Sequence, residues 1–342
     1  MCPFHQDTSP SLSISIEKQI FKCFVCNKAG DLISFVSRFE DISYKKAIEI
    51  IAKENDIAFT KFKEVKKYNE NQEKMISALF DANLYFKNFL FSKDGNFAYD
   101  YLKNRGKSSQ KIINKFDLGY APKKGLKEYL IKKGHDESIL INSGLLSENG
   151  YPFFKDRLMF AIKNSFGTIV GFSGRTLKNE NPKYINSPES SLFKKNEILY
   201  NYKNSYDSID KTKKVIIVEG FMDVIALNSI DINNVVAIMG AALTLKHTNL
   251  LKNKKVYLFL DGDEAGINAS IKSTEILLKE NIDVFYVINK TKLDPDEIIN
   301  KKGKKEIIEI LNKSIDAFLP LINNKFRNFN KDNFEDYYSI KK

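Results

Sequence analysis

The stretch Lys214-Val-Ile-Ile-Val218-Glu219-Gly-Phe-Met-Asp223 decides the fold. Val215–Val218 is an unbroken β-branched run, the mark of a strand buried on both faces. Glu219 and Gly220 follow at once, and Phe221–Ser229 then reads as a helix. The pattern repeats downstream. Val235–Met239, Val256–Leu260 and Val284–Ile288 are short apolar runs, with helical segments at Thr244–Leu251 and Ala265–Glu280 between them. Strands alternating with helices of this length predict parallel β-α-β units.

In such a sheet functional groups gather beyond the carboxyl ends of the strands. Glu219 ends the first run, and Asp261 and Asp263 end the third around Gly262. Asp294 and Asp296 lie just past the fourth, separated by Pro295. So many carboxylates cannot stay ionised together without cations, so the edge calls for a hard divalent ion such as magnesium. Each acid has a plainer role open to it. Asp223 reads as a helix first-turn charge, and Asp296 as the cap of a helix running to Leu311. The chain has no Gly-x4-Gly-Lys-Ser/Thr loop, which excludes a P-loop nucleotide site.

At the other end, Cys2, His5, Cys23 and Cys26 are spaced Cys-x2-His-x17-Cys-x2-Cys. Two short pairs separated by a loop let four donors converge on one tetrahedral ion, and thiolate with imidazole selects zinc. All three cysteines of the chain fall in this pattern, so no disulfide framework is needed. With every position filled by protein, the site is structural. Leu12–Phe24 alternates as a hairpin, and Tyr44–Asn55 reads as a helix. His135 and His247 have no ligand-type partners in sequence and read as surface or helix-end residues.

Between these ends, residues 58–74 are charged and read as a linker. Leu79, Ala82, Phe86 and Phe89 recur at helical spacing, Tyr101-Leu102 opens another helical patch, and Gly119–Pro122 breaks the pattern. Arg157–Ile162 and Thr168–Gly171 read as a hairpin turning near Asn164–Gly167. The expected division is 1–57, linker 58–74, 75–205, 206–300 and 301–342, with a tail of helical composition.

The chain is 342 residues long, 43% hydrophobic and 28% charged, which fits a globular protein of several domains. No apolar run reaches bilayer length and no signal pattern opens the chain, so a cytoplasmic location without membrane partners is the expectation. The formal charge is +11. It is concentrated after residue 60, and Tyr101–His135 alone holds ten basic against two acidic side chains. Such a face attracts polyanions, nucleic acid first among them.

The motifs together resemble bacterial DnaG-type primases over nearly the whole chain and in family order. Cys2-Pro-Phe-His5, Cys23-Phe-Val-Cys26 and Gly30-Asp31 resemble the zinc ribbon of that family. Tyr101-Leu-Lys-Asn-Arg105-Gly106 and Leu118–Pro122 resemble the start of its polymerase core. Asp156-Arg157, Gly171–Arg175 and Pro182–Pro188 resemble its basic, template-facing motifs. Val218–Asp223, Gly240–Thr244 and Asp261–Gly266 resemble its Toprim metal core.

The resemblance implies an α+β multidomain chain: a zinc ribbon, then a core with a mixed α+β half and a Toprim α/β half of parallel strands. It implies DNA primase activity, the joining of ribonucleoside triphosphates into RNA primers on single-stranded DNA. Glu219, Asp261 and Asp263 would be the main magnesium ligands of one or two ions, with Asp223, Asp294 and Asp296 as ligands or supports. Arg157, Arg175, Lys183 and Asn186, with Lys155 and Lys195, would contact template and nucleotide phosphates. Relatives carry residues before the first ligand cysteine and continue past residue 342, so the chain reads as truncated at both ends, and replicative-helicase docking as belonging to a missing domain. Two rivals stand beside this reading. One is a single-stranded-DNA-binding relative without polymerase activity, and the other is a Toprim-type nuclease, which would cut DNA with magnesium alone.

Overall fold

Met1–Lys67 and Tyr68–Lys342 form two compact units, each described by itself. The computed structural model describes residues 1–17, 19–42, 44–55, 67–240, 242–291 and 293–318. In the first unit β1 (Leu12–Ser15), β2 (Ile20–Cys23) and β3 (Ala29–Asp31) form an antiparallel sheet. The expected hairpin is β1–β2, with Leu12 opposite Cys23. The third strand, Ala-Gly-Asp, is too short to show a period. Asp31 then caps α1 (Leu32–Phe39), accepting from Ser34 N at 2.8 Å, and α2 (Tyr44–Glu54) follows as expected. Phe35 lies 5.1 Å from both Phe4 and Phe21, giving the sheet a small aromatic core.

The second unit opens with α3 (Glu70–Leu90), which begins inside the stretch expected as linker. Asn69 and Gln72 cap it reciprocally, a signal that the charge of the segment hid. Residues 58–66 of that stretch lie outside the described residues. Helices α4 (Asn96–Asn104), α5 (Gln110–Phe116), α6 (Leu126–Lys132) and α7 (Glu137–Asn142) accompany a four-stranded antiparallel sheet. Its strands are β4 (Leu118–Ala121), β5 (Arg157–Lys163), β6 (Ile169–Thr176) and β7 (Tyr184–Asn186), in that order. The β5–β6 hairpin turns where expected, with Gly167 N donating to Asn164 O at 3.0 Å.

Gly119–Pro122 breaks the helical pattern as expected, and the break is a strand, β4. Gly119 is there because α3 crosses the strand: a Cβ would stand 2.6 Å from Phe86 Cβ.

The rest is α8 (Tyr202–Thr212), β8 (Lys214–Val218), α9 (Phe221–Ser229), β9 (Val235–Ala237), α10 (Leu245–Leu251), β10 (Lys255–Leu258), α11 (Glu264–Lys279), β11 (Val284–Tyr286), α12 (Pro295–Lys302), α13 (Lys304–Asn312) and β12 (Ile315–Asp316). The sheet order is β12-β11-β10-β8-β9, and all but β12 run parallel. The four expected runs are the four parallel strands. In β8, Ile216 and Val218 enter one core cluster and Val215 and Ile217 the other, which is why the run needs no alternation. The helix expected to reach Leu311 is two helices, broken at Gly303, whose φ of 82° suits glycine. Residues 319–342, expected to continue as helix, lie outside the described residues. No described helix is long and apolar enough to cross a membrane.

Candidate functional site

In the first unit the ligand atoms of Cys2, His5, Cys23 and Cys26 all lie within 4.8 Å of one another. Cys2 Sγ and Cys26 Sγ are 3.8 Å apart, and Cys23 Sγ and His5 Nδ1 are 3.9 Å apart. A tetrahedral ion with metal–sulfur bonds of about 2.3 Å has edges of about 3.8 Å, so the donors fit zinc. Asn27, at φ 57°, closes the second turn, and Cys26 N donates to Cys23 Sγ at 3.4 Å. Burial opposes ionisation of Cys23, but hydrogen bonds from Ser11 and the amides of Cys26 and Val25 bring its pKa down to about 6.

The sequence reading misses Asp7. Its Oδ2 accepts from Cys2 N at 2.5 Å and from Ser11 Oγ at 2.8 Å, and its Oδ1 faces His5 Nε2 at 3.7 Å. Ser11 Oγ in turn lies 3.3 Å from Cys23 Sγ. One buried carboxylate thus orders three of the four ligands.

In the second unit the acids stand at the carboxyl edge of the parallel sheet. Glu219 leaves β8 and receives the Asp261 amide on Oε1 at 3.0 Å, which ties the ends of β8 and β10 together. Gly266 makes room for this pair, since a Cβ there would stand 2.1 Å from Asp261 O and 2.9 Å from Glu219 Oε1. Asp263 caps α11, accepting from Gly266 N at 2.8 Å. Asp294 caps α12, accepting from Glu297 N at 2.7 Å. The cap of that helix is therefore Asp294 and not Asp296, because Pro295 takes the first helical position. Asp223 is buried and joins two loops, accepting from Gly220 N at 3.1 Å and Asp296 N at 3.3 Å.

The charges are unevenly compensated. Burial, then the charges of Glu219, Asp294 and Asp263, push Asp261 up to about 7. Burial and Asp263 raise Glu219, and burial with the charges of Asp294 and Asp261 raises Asp223 far more. Burial and the neighbouring Glu297 and Asp296 raise Asp294. Asp261 Oδ1 is buried with no hydrogen-bond partner. An orphaned buried oxygen among mutually repelling carboxylates is what a divalent cation would satisfy, so the residues fit one. Asp296 differs. It pairs with Arg105, and its Oδ1 lies 2.6 Å from Lys107 Nζ, itself only 2% exposed.

The expected phosphate-contacting residues divide. Arg175 is buried, stacks its guanidinium 5.1 Å from the Tyr101 ring and 5.3 Å from Tyr184, and donates to Tyr184 Oη at 2.7 Å. Arg105 stacks on Tyr101 at 5.0 Å, so a column runs Asp296, Arg105, Tyr101, Arg175, Tyr184. Tyr184 stacks at 5.6 Å on Phe221, the first residue of α9, which brings the column beside the acid edge. Arg175 Nε, Tyr101 Oη and Asn186 Oδ1 are buried without partners. Lys183 is exposed just before β7. Lys195 reaches the end of β9, its Nζ 3.3 Å from where a Cβ on Gly240 would stand. Arg157 instead staples the β6–β7 connection, donating to the carbonyls of Gly174 at 3.1 Å and Pro182 at 3.3 Å. Lys155, two residues before Arg157, is exposed, its amine 5.4 Å from the Tyr151 ring.

Arg105, Lys107 and Tyr101 are functional candidates that residue counting misses, although Tyr101–Gly106 stands out as a motif. The two other histidines are also not surface residues. His135 Nε2 lies 2.9 Å from Asp81 Oδ2, and His247 is 2% exposed, pinned into the start of α10.

Comparison with known proteins gives three family matches: the CHC2 zinc finger at residues 1–67, the N-terminal domain of the DNA primase catalytic core at 85–206, and a Toprim-like domain at 216–299. The chain is similar to the DNA primase of Aquifex aeolicus, 38% identical over 99% of this chain and 68% of that protein. It is 35% identical to the DNA primase of Borreliella burgdorferi and 33% to that of Staphylococcus aureus, over 97% and 96% of this chain. It spans 66% and 55% of the lengths of those two relatives. Among solved structures, the zinc-binding and RNA polymerase domains of the Aquifex aeolicus primase match with a TM-score of 0.70 at 37% identity, over 96% of this chain and 81% of that one. A DnaG primase catalytic domain bound to single-stranded DNA matches with a TM-score of 0.70 at 28% identity, over 78% of this chain and 86% of that one.

Proposed function

This chain belongs to the DNA primase family, and from that premise we propose that it joins ribonucleoside triphosphates into short RNA primers on a single-stranded DNA template. The observation that carries the reading is the acid edge, where Glu219, Asp261 and Asp294 are under-compensated beside a column of stacked arginines. In this reading Glu219, Asp261 and Asp263 hold magnesium, with Asp223 and Asp294 in support. Asp296 serves instead to anchor Arg105 and Lys107. Bound there, magnesium would neutralise charge on the triphosphate and on the departing pyrophosphate.

The protein's own groups do the positioning. The Asp261 amide fixes the Glu219 carboxylate at the strand end. Arg175, held between Tyr101 and Tyr184, has an unpartnered Nε that would suit an anionic oxygen. Lys183, Asn186 and Lys195 line the same approach, and Arg157 shapes it by holding the hairpin beneath them. The DNA-bound relative supports single-stranded DNA as the template class. The domain division in this reading is a ribbon at 1–57 that helps select the template, a basic half that opens with the cap of α3 at Asn69 and runs to 205, and a Toprim half from 206 that continues through α12 and α13.

The test is primer synthesis on mixed-sequence single-stranded DNA with magnesium and labelled ribonucleotides, run beside Glu219→Gln. Short RNA from the parent chain, lost in the variant by about a hundredfold or more, is the expected result. DNA binding without product would favour the non-polymerising relative, and magnesium-dependent cutting without nucleotides would favour the nuclease.

A further inference from the structure

Three contacts clamp the turn Lys195–Glu197 to the start of α10. Thr244 Oγ1 donates to Asn196 O at 2.6 Å, Lys246 pairs with Glu197 at 2.6 Å, and His247 Nε2 lies 3.3 Å from Lys195 O. The other ring nitrogen of His247, Nδ1, accepts from Thr244 N at 3.1 Å. A backbone amide can only donate, so Nδ1 is the bare nitrogen and the proton is on Nε2, facing the Lys195 carbonyl. Burial lowers the pKa of His247, which keeps the ring in this neutral form. Nothing in the acid edge or the arginine column uses this histidine, yet it is among the most buried polar residues of the sheet domain.

The object of the clamp is Lys195. Its Cε and Nζ lie 3.3 Å from where a Cβ on Gly240 would stand, so the amine rests at the carboxyl end of β9, on the edge that carries Glu219. It forms no ion pair with any described residue.

We infer that His247 is a positioning residue, fixing the main chain of Lys195 so that its amine meets the phosphates of the incoming nucleoside triphosphate at the acid edge. The inference rests on the primase reading for its ligand, but the clamp can be tested apart from it.

His247→Asn and His247→Gln separate the two bonds. The Asn amide oxygen takes the place of Nδ1 at Thr244 N but falls short of Lys195 O, whereas the longer Gln amide reaches Lys195 O. His247→Asn is expected to melt within about 2 °C of the parent, since the helix cap survives. Its KM for ribonucleotides should rise about tenfold with kcat changed less than about twofold, the signature of a lost binding contact. Acylation of the Lys195 amine, read by peptide mass spectrometry, should rise several-fold relative to other lysines, and His247→Gln should restore both values. Parent-like KM and Lys195 labelling in His247→Asn would overturn the inference. So would equal losses in both variants with matching drops in melting temperature, which is plain packing. If the parent makes no primer, the primase reading falls, and the labelling comparison still decides for or against the clamp.

Discussion

The ribbon gathers a Cys/His set that fits zinc, and the parallel sheet a carboxylate set for which we propose magnesium, by different physics. In the ribbon, four soft donors from two tight turns meet within 4.8 Å, and the neighbouring acid, Asp7, works as an organiser and not as a ligand. In the sheet, hard carboxylates come from Glu219 to Asp294, delivered by strand ends that a large apolar core has already fixed. The ribbon has little core of its own, so its ion holds the fold. The sheet has core to spare, so its fold can hold crowded carboxylates together, at the cost of raising their proton affinity. The difference teaches that one site should collapse on losing its metal and the other should relax.

The largest effect expected is therefore in the ribbon. Structural zinc is worth about 10–16 kcal/mol of apparent binding energy in small domains, more than this sheet of three short strands supplies. Cys23→Ser, or strong chelation, should abolish hydrogen-exchange protection across residues 1–42. The cooperative melting of the unit from Tyr68 onward should move by less than about 2 °C. A protected ribbon without zinc would break the contrast at once.

Next in size is Asp296, which divides structural acids from ligand acids within the sheet. Asp296→Ala would leave Lys107, buried at 2% exposure, with the Arg105 carbonyl but no counter-charge, and removing one partner of a buried pair costs about 3–5 kcal/mol. The melting temperature should fall by roughly 10 °C, while magnesium still stabilises what remains folded. An unchanged melting temperature with magnesium stabilisation lost would make Asp296 a ligand and redraw the site.

This division was beyond the sequence for a physical reason. The Cys/His set is local, so spacing alone identified it, and the unbroken run Val215–Val218 identified an interior strand, β8, because burial on both faces leaves no period to misread. The acids at 294 and 296 look alike in sequence. Only the place of Pro295 at the helix start and the arrival of Arg105 and Lys107, about 190 residues away, make one a cap and the other an ion-pair partner. Strand β4 hid behind Gly119 because a close helix crossing, not a turn, demanded the glycine. The burial of His247 likewise depends on the turn at Lys195–Glu197 folding back over α10, which no local pattern signals.

Asp7 should give a smaller, measurable effect. Removing a group that orients metal ligands typically weakens metal binding about 10–100-fold. Asp7→Ala frees the Cys2 amide, the Ser11 hydroxyl and His5 at once, so zinc affinity against a chromogenic chelator should drop within that range, with the ribbon still folded at saturating zinc. Unchanged affinity would mean that the four ligands orient themselves.

The smallest effect carries the opposite sign. Asp261 stands at about 7 in the folded chain against 3.8 for an unperturbed aspartate. Between those values the folded state holds a proton that the unfolded state has released, so stability falls as pH rises through that window and levels off above it. Glu219, Asp223 and Asp294 are shifted the same way and add to the slope. In metal-free protein the core should therefore melt higher at pH 6 than at pH 8. Asp261→Asn should raise the pH 8 value by about 2–4 °C and flatten part of the slope, an increment discounted for the partial exposure of the group. Saturating magnesium should reverse the trend in the parent, because the ion competes with the proton for the same oxygens, and should do far less in the variant. A metal-free parent that is more stable at pH 8 than at pH 6, with Asp261→Asn no different, would mean that the acids are compensated by groups other than a cation. The sheet edge would then be no more strained than the ribbon.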